Sequence, residues 1–383
     1  TCRNSTTRWR CDLVVLHERR SPRGSRRIQG KAHARLFEVP QASVTVPGDL
    51  LQGVTPFAIT LHREFRGVTS REGVLIHGPS GWGEFAPFED YGIEYAGRWL
   101  ATALEAAYGQ WPAAKRQFIN VNAIIPGVSA EVADELVRDV VRTDGCSTIK
   151  VKVTGDLSGD EARVAAVREA LDRTLGVGIG KIRIDANACW TVAEAINAIS
   201  RLSAYTLEYV EQPVESNEEL RNVRRAIDIP IAVDESIRKD KNLDARALKE
   251  LRELADIAII KPAPVGGVQR GVEIAELLKM PIVVSNGMES SIGICTSLAL
   301  AAALDIDLAC GLGTGKLIAQ DLIASPLVAI NGQMQVQRLA PDPDALVAAR
   351  ARLSEEQAQL WRDRLERAWH TEAVAPWHEK VGS

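Results

Sequence analysis

From Ile119 to Gly311 the chain alternates short, almost wholly apolar runs with longer stretches whose apolar residues recur at helical spacing. The runs read INVNAII, TIKVKV, KIRIDAN, LEYVEQP, IPIAVDES, IAIIKPA, PIVVSNG and IDLACG. Each is rich in Val and Ile and bounded by Pro, Gly, Asp or Asn, which predicts short buried strands. Between them, segments such as SAEVADELVRDVVR, GDEARVAAVREALD, TVAEAINAISRLS and NEELRNVRRAI predict amphipathic helices. Ser129 and Thr191 each precede an acidic residue by two or three positions, a mark of helix starts. Strands that are apolar on both faces must be covered on both faces, so repeated βα units of this kind predict a parallel sheet. Eight strands in a segment of about 200 residues fit a closed barrel better than an open, doubly wound sheet. No GxGxxG follows the first strand, which weakens a dinucleotide-binding reading further.

Residues 36–118 are patterned differently. Extended stretches at Thr55–His62 and Gly73–His77 flank FRGVTSRE, which predicts a hairpin with a mobile loop, and a helix over Glu94–Tyr108 follows. Helical periodicity returns over Asp342–Trp369, most clearly in LSEEQAQLWRDRLERAW. The expected organisation is an α/β protein in which a (β/α) barrel over residues 119–319 carries an α+β capping domain. That domain comprises residues 36–118 and is completed by residues 320–383. Residues 1–35 stand apart, with nine Arg and one Lys against two acids, and they lack both periodicity and apolar mass. They are expected to be a disordered or artefactual basic extension. A transit peptide, or a basic tail touching nucleic acid or membrane, would share that composition.

Length and charge narrow the classes. A chain of 383 residues accommodates a barrel of roughly 200–250 residues together with a smaller domain. Net charge is −4, but the first 35 residues carry +8, which leaves −12 on the remainder. An acidic body argues against a nucleic-acid partner. The longest apolar stretch, Ile292–Leu304, falls short of the roughly 18 residues of a spanning helix, so no membrane partner is expected. Six scattered cysteines without a CxxC pair suit a reducing, cytoplasmic compartment. Nothing in the pattern specifies an oligomeric state.

The predicted strands carry a constellation of charge. TIKVKV holds Lys150 and Lys152, IRID ends in Asp185, EYVEQP contains Glu211, IAVDES contains Asp234, and AIIKP contains Lys261. From Lys152 onward the gaps are 33, 26, 23 and 27 residues, each close to one βα unit. In a barrel the C-terminal ends of the strands converge on one mouth, so these groups should meet there. Charge inside an apolar strand is costly unless it is paired or metal-bound. Three carboxylates with no imidazole or thiolate nearby suit one hard, oxygen-preferring ion, Mg²⁺, with Mn²⁺ able to substitute. No histidine lies between residues 78 and 369, so acid/base work in the barrel falls to Lys152 and Lys261 once the carboxylates hold the ion. A nearby cation would lower a lysine's pKa toward neutrality.

The order KxK, D, E, D, K on successive strands resembles the muconate-lactonising subgroup of the enolase superfamily, whose fold is a (β/α)7β barrel with a capping domain. GWGEFAPF, over Gly81–Phe88, is similar to that superfamily's capping-domain junction. DANACW, VEQP, VDES, IIKP with its following Gly-Gly, and SNGMESSIG resemble the o-succinylbenzoate synthases of the actinobacterial type. The resemblance implies Mg²⁺-assisted syn-dehydration of a small carboxylate. Asp185, Glu211 and Asp234 would hold the metal, Lys152 would be the base, and Lys261 would face it. Lys150, Asn187, Ser285 and Glu289 would be substrate-binding. N-Acylamino acid racemases and dipeptide epimerases share the same lysines and metal residues and are the alternative.

Overall fold

The structure, a computed structural model, describes residues 46–48, 50, 53–65 and 67–381; the basic stretch 1–35 lies outside the described residues. An antiparallel sheet comes first, built from β1 (Val54–Phe65), β2 (Val68–Gly78) and β3 (Gly81–Phe85). A strand from much later in the chain, Ile318–Gln320, pairs with the outer edge of β1. The hairpin differs from expectation. Phe65 pairs with Val68, so Val68–Glu72, expected in a mobile loop, is paired strand. Arg71, one of the polar residues that suggested a loop, is buried beneath the sheet: it donates to the Ala86 carbonyl at 2.5 Å and lies 3.8 Å from the Phe88 ring centroid. With the charge satisfied there, the β-branched Val68 and Thr69 follow their strand preference.

β3 lies directly on the helix Ile93–Tyr108, and Gly83 permits it. A Cβ at that position would come within 1.9 Å of the Ala103 carbonyl oxygen. The same helix packs Trp99, Leu100 and Leu104 against Val74, Ile76 and Phe85, and the helix Glu355–Trp369 closes this core with Trp361, Leu365 and Trp369. A second apolar cluster joins Phe57, Leu75 and Phe88 to Met288 and Ile292, so the antiparallel layer rests on a loop of the barrel.

The barrel strands are β4 (Phe118–Ile125), β5 (Thr148–Lys152), β6 (Lys181–Asp185), β7 (Leu207–Glu211), β8 (Ile231–Val233), β9 (Ile257–Ile260), β10 (Ile282–Val284) and β11 (Cys310–Gly313). Each pairs in parallel with the next from β4 to β10, and β11 pairs with β4. A parallel bridge between Ser285 and Gly311 joins the two remaining edges and closes the ring. These are the eight predicted strands, and every connection between them contains a helix, which gives (β/α)7β. The helix starts also match. Ser129 Oγ accepts from the Val132 amide, and Thr191 forms a reciprocal capping box with Glu194. The Ala-rich helix Ile294–Ala303 is buried along its whole length, which accounts for its unbroken apolar character. Among the described residues no helix is long and apolar enough to cross a membrane. After Gln320 the chain also returns to the barrel, where Gln333–Gln335 pairs antiparallel with β4.

Candidate active site

Parallel strands end on the same side, and the register places the charged residues there together. Lys152 on β5 is level with Asp185 on β6, and Asp185 is level with Glu211 on β7. Asp234 directly follows β8 and Lys261 directly follows β9. β5 and β9 are four strands apart in a ring of eight, so Lys152 and Lys261 stand on opposite sides of the mouth with the three carboxylates between them.

The contacts are close. Lys150 Nζ bridges Asp185 and Glu211, at 3.1 Å from each carboxylate. Lys152 Nζ donates to Asp185 Oδ2 at 2.5 Å and to Asn187 Oδ1 at 2.7 Å. On the far side Lys261 Nζ donates to Asp234 Oδ2 at 2.6 Å. Arg238 Nε reaches the same oxygen at 3.1 Å, and its Nη2 binds Glu235 Oε1 at 2.6 Å. Arg238 and Glu235 do not stand out in the sequence as members of this cluster. Their only signal is the four-residue spacing that puts Arg238 back over Asp234 on the short helix Glu235–Arg238.

Burial sets the electrostatics. It opposes the charge on Lys150, but Asp185 and Glu211 outweigh it and hold the ammonium well above the ordinary lysine range. Burial likewise opposes ionisation of Asp185, which Lys150 and Lys152 nevertheless keep far below the usual carboxylate range. Asp234 is lowered too, against burial, by Lys261 and Arg238. Glu211 is the exception: burial, then repulsion from Asp185 and Asp234, pushes it up to about 7 despite Lys150.

The backbone around the mouth is also constrained. Asn187, Ala188, Gln212 and Met288, all just beyond barrel strands, have φ of 45°, 61°, 38° and 65°. Left-handed backbone at non-glycine residues persists where neighbours hold it, and such positions gather at functional sites. Here the Asn187 amide donates to Asp185 Oδ1 and the Ala188 amide to the Gln212 carbonyl.

Ser285 and Glu289 sit one strand further on. The Ser285 hydroxyl donates to the Gly311 carbonyl at 3.2 Å, at the bridge that closes the barrel. Glu289 is buried and accepts from the Gly287 amide at 2.7 Å; burial raises its carboxyl, against the Gly287 bond and the charges of Arg71 and Lys261. Neither has a direct bond to the lysine–carboxylate cluster.

The Lys150 ammonium lies between Asp185 and Glu211, and Lys152 and Lys261 flank the carboxylates on either side. Among the described residues no three acidic, histidine or cysteine side chains are already grouped as an ion cage. The chemistry of the set nonetheless fits a divalent ion. All donors are carboxylate oxygens, the three acids repel one another, and Asp234 Oδ1 is buried with no hydrogen-bond partner.

Comparisons with known proteins place the fold in a family. Residues 132–345 match the enolase C-terminal domain-like model and residues 57–107 the enolase N-terminal domain-like model. The chain is 44% identical over 323 residues to an o-succinylbenzoate synthase of Mycolicibacterium smegmatis, covering 83% of this chain and 95% of that protein. It is 42% identical over 287 residues to the o-succinylbenzoate synthase of Thermobifida fusca, covering 74% and 87%. Among solved structures, a dipeptide epimerase from Enterococcus faecalis superposes with a TM-score of 0.62 at 22% identity, covering 75% of this chain and 96% of that one, a likeness of fold alone. The chain belongs to the enolase superfamily and, within it, to the family of the o-succinylbenzoate synthases.

Proposed function

We propose that the protein is an o-succinylbenzoate synthase, a Mg²⁺-dependent hydro-lyase of menaquinone biosynthesis. It would convert 2-succinyl-6-hydroxy-2,4-cyclohexadiene-1-carboxylate to 2-succinylbenzoate. The observation that carries the reading is the 44% identity across 95% of the M. smegmatis enzyme. The placement of two lysines across the mouth from each other supports it.

In this reading Asp185, Glu211 and Asp234 hold one Mg²⁺, for which Mn²⁺ can substitute. The ion supplies positive charge against the substrate's ring carboxylate, lowering the cost of the negative charge that develops there. Lys152, as the neutral amine, takes the proton from the carbon bearing that carboxylate. The electron pair spreads into the carboxylate and is then drawn into the ring as the neighbouring C–O bond breaks. The Lys152 ammonium returns its proton to the departing hydroxyl on the same face, so water leaves, the ring becomes aromatic and the amine is restored. Lys261 remains an ammonium opposite, where its charge stabilises the electron-rich intermediate. Lys150, fixed as a cation, supports the carboxylates and the substrate's charge. Asn187 orients Lys152, and Ser285 and Glu289 shape the substrate's side of the mouth.

The test is direct. Absorbance should report 2-succinylbenzoate formation by the purified protein with Mg²⁺, loss of that formation in EDTA, and recovery on adding Mg²⁺ or Mn²⁺. Absence of product with Mg²⁺ present sinks the reading. Opposed lysines also suit an N-acylamino acid racemase or dipeptide epimerase, which needs a base on each face. Incorporation of solvent deuterium at the α-carbon of both enantiomers of an N-acylamino acid or dipeptide substrate would favour that alternative.

A further inference from the structure

The Asp234 carboxylate is gripped through one oxygen. Oδ2 accepts from both Lys261 Nζ and Arg238 Nε, while Oδ1 is buried without a partner. Arg238 is 6% exposed, and its guanidinium is engaged on every side. Nη2 binds Glu235 Oε1, and Nη1 donates to the hydroxyl of Tyr91, which belongs to the segment between β3 and the helix Ile93–Tyr108. The Tyr91 ring is itself set against Trp99, at a centroid distance of 4.8 Å. Glu235 Oε1 also accepts from Asn187 Nδ2 at 3.3 Å, and Asn187 Oδ1 binds Lys152. One guanidinium therefore stands in a continuous chain of bonds from Lys152 to Lys261, with its remaining arm on the segment that follows β3.

We propose that Arg238, locked by Tyr91, is a positioning residue. It fixes the Asp234 carboxylate so that Oδ2 stays with Lys261 and Oδ1 is left to the divalent ion. This inference rests on the metal-binding part of the function proposed above. It is separable from mere charge. A guanidinium beside the site repels a divalent cation, so on electrostatics alone its removal would tighten ion binding. Orientation predicts the opposite sign, because residues that hold a ligand in place commonly govern metal affinity by about 10- to 100-fold. A lysine would keep the charge but could not reach Asp234, Glu235 and Tyr91 together.

The experiment is Mn²⁺ titration of the full chain, with free ion followed by electron paramagnetic resonance and folding checked by circular dichroism. Arg238→Met and Arg238→Lys should each raise the Mn²⁺ Kd about tenfold or more, and Tyr91→Phe should raise it several-fold with little change in Tm. Unchanged or tighter binding by folded Arg238→Met overturns the proposal. If that variant does not fold, Tyr91→Phe decides, and an unchanged Kd overturns it. Failure of the unsubstituted protein to bind Mn²⁺ would remove the metal reading itself. Normal binding there with no effect of these substitutions removes only the role given to Arg238.

Discussion

Lys152 and Lys261 are the same residue type in similar company, each with a carboxylate oxygen within 2.6 Å, and yet dehydration asks different things of them. A syn-elimination uses one group for both proton transfers, so Lys152→Ala should abolish product formation under the absorbance assay. In the proposed mechanism Lys261 has only to present charge, and a single such contact is worth roughly 2.7–4 kcal/mol, or about 10²- to 10³-fold in rate. Lys261→Ala should lose that much in kcat. Lys261→Arg, which cannot act as a base near neutral pH, should retain part of the dehydration and none of any racemisation. Racemisation surviving in Lys261→Arg would contradict these roles. Lys150 predicts a different signature. It is the buried counter-ion of two carboxylates, and removing one member of such a group typically costs about 3–5 kcal/mol. Lys150→Met should therefore unfold at much lower urea concentration in EDTA, and Mg²⁺ should recover more stability in it than in the unsubstituted protein. Equal Mg²⁺ increments in the two proteins would show that Lys150 does not share the ion's electrostatic task.

At the scale of elements, the barrel was legible because its strands announce themselves. A run such as AIIKPA is apolar on both faces and punctuated by Pro, and Lys261 is conspicuous in it because charge there is costly. The lysines and carboxylates could be read for the same reason. Arg238 could not, since a lone arginine five residues beyond a strand looks like any solvated helix residue. The hairpin is legible but the extent of its loop is not, because Arg71 and Glu72 read as loop although both lie in paired strand and Arg71 bonds within the fold. The Gly-Gly after IIKP is visible in the sequence as a pattern, and its physical reason lies in the fold. Glu105, on the helix Ile93–Tyr108, accepts from the Val268 and Gln269 amides and so caps the helix Val268–Leu278 from outside. A Cβ on Gly267 would meet Glu105 Oε2 at 2.6 Å, and the residue's φ is +133°. Gly267→Ala should cost about 1–3 kcal/mol from strained backbone, and the displaced cap adds to it. Urea unfolding of the variant with Mg²⁺ affinity monitored in parallel will check this; a stability within error of the parent would mean that the cap adjusts freely.

For the molecule as a whole, the contact between the antiparallel layer and the barrel was the least legible feature, because it pairs residues some 200 positions apart with no local pattern to mark them. Glu84 on β3 is its polar centre. The carboxylate accepts from the Ser290 amide at 3.2 Å, the Gly293 amide at 3.1 Å and the Ser290 hydroxyl. Asp321 grips the neighbouring Ser291 in the same manner, with the hydroxyl at 2.5 Å. Two consecutive serines of the barrel loop are thus each held by a carboxylate from a different part of the chain. Burial pushes Glu84 up to about 7, with Glu289 adding repulsion, although the Ser290 bonds and Arg71 act against the shift. A carboxyl whose pKa is higher folded than unfolded binds its proton more tightly when folded, so its favourable contribution is complete below about pH 4.5 and fades as pH rises through about 7. Across that window the stability lost is at most about 3 kcal/mol, from 1.36 kcal/mol per unit. Glu84→Gln keeps an acceptor for the loop amides and cannot ionise. Its stability relative to the parent should therefore improve between pH 5 and pH 8 in urea unfolding, whatever the offset between the two proteins at pH 5. A parallel pair of pH profiles would show that Glu84 stays ionised throughout, and that the serine and glycine donors outweigh its burial.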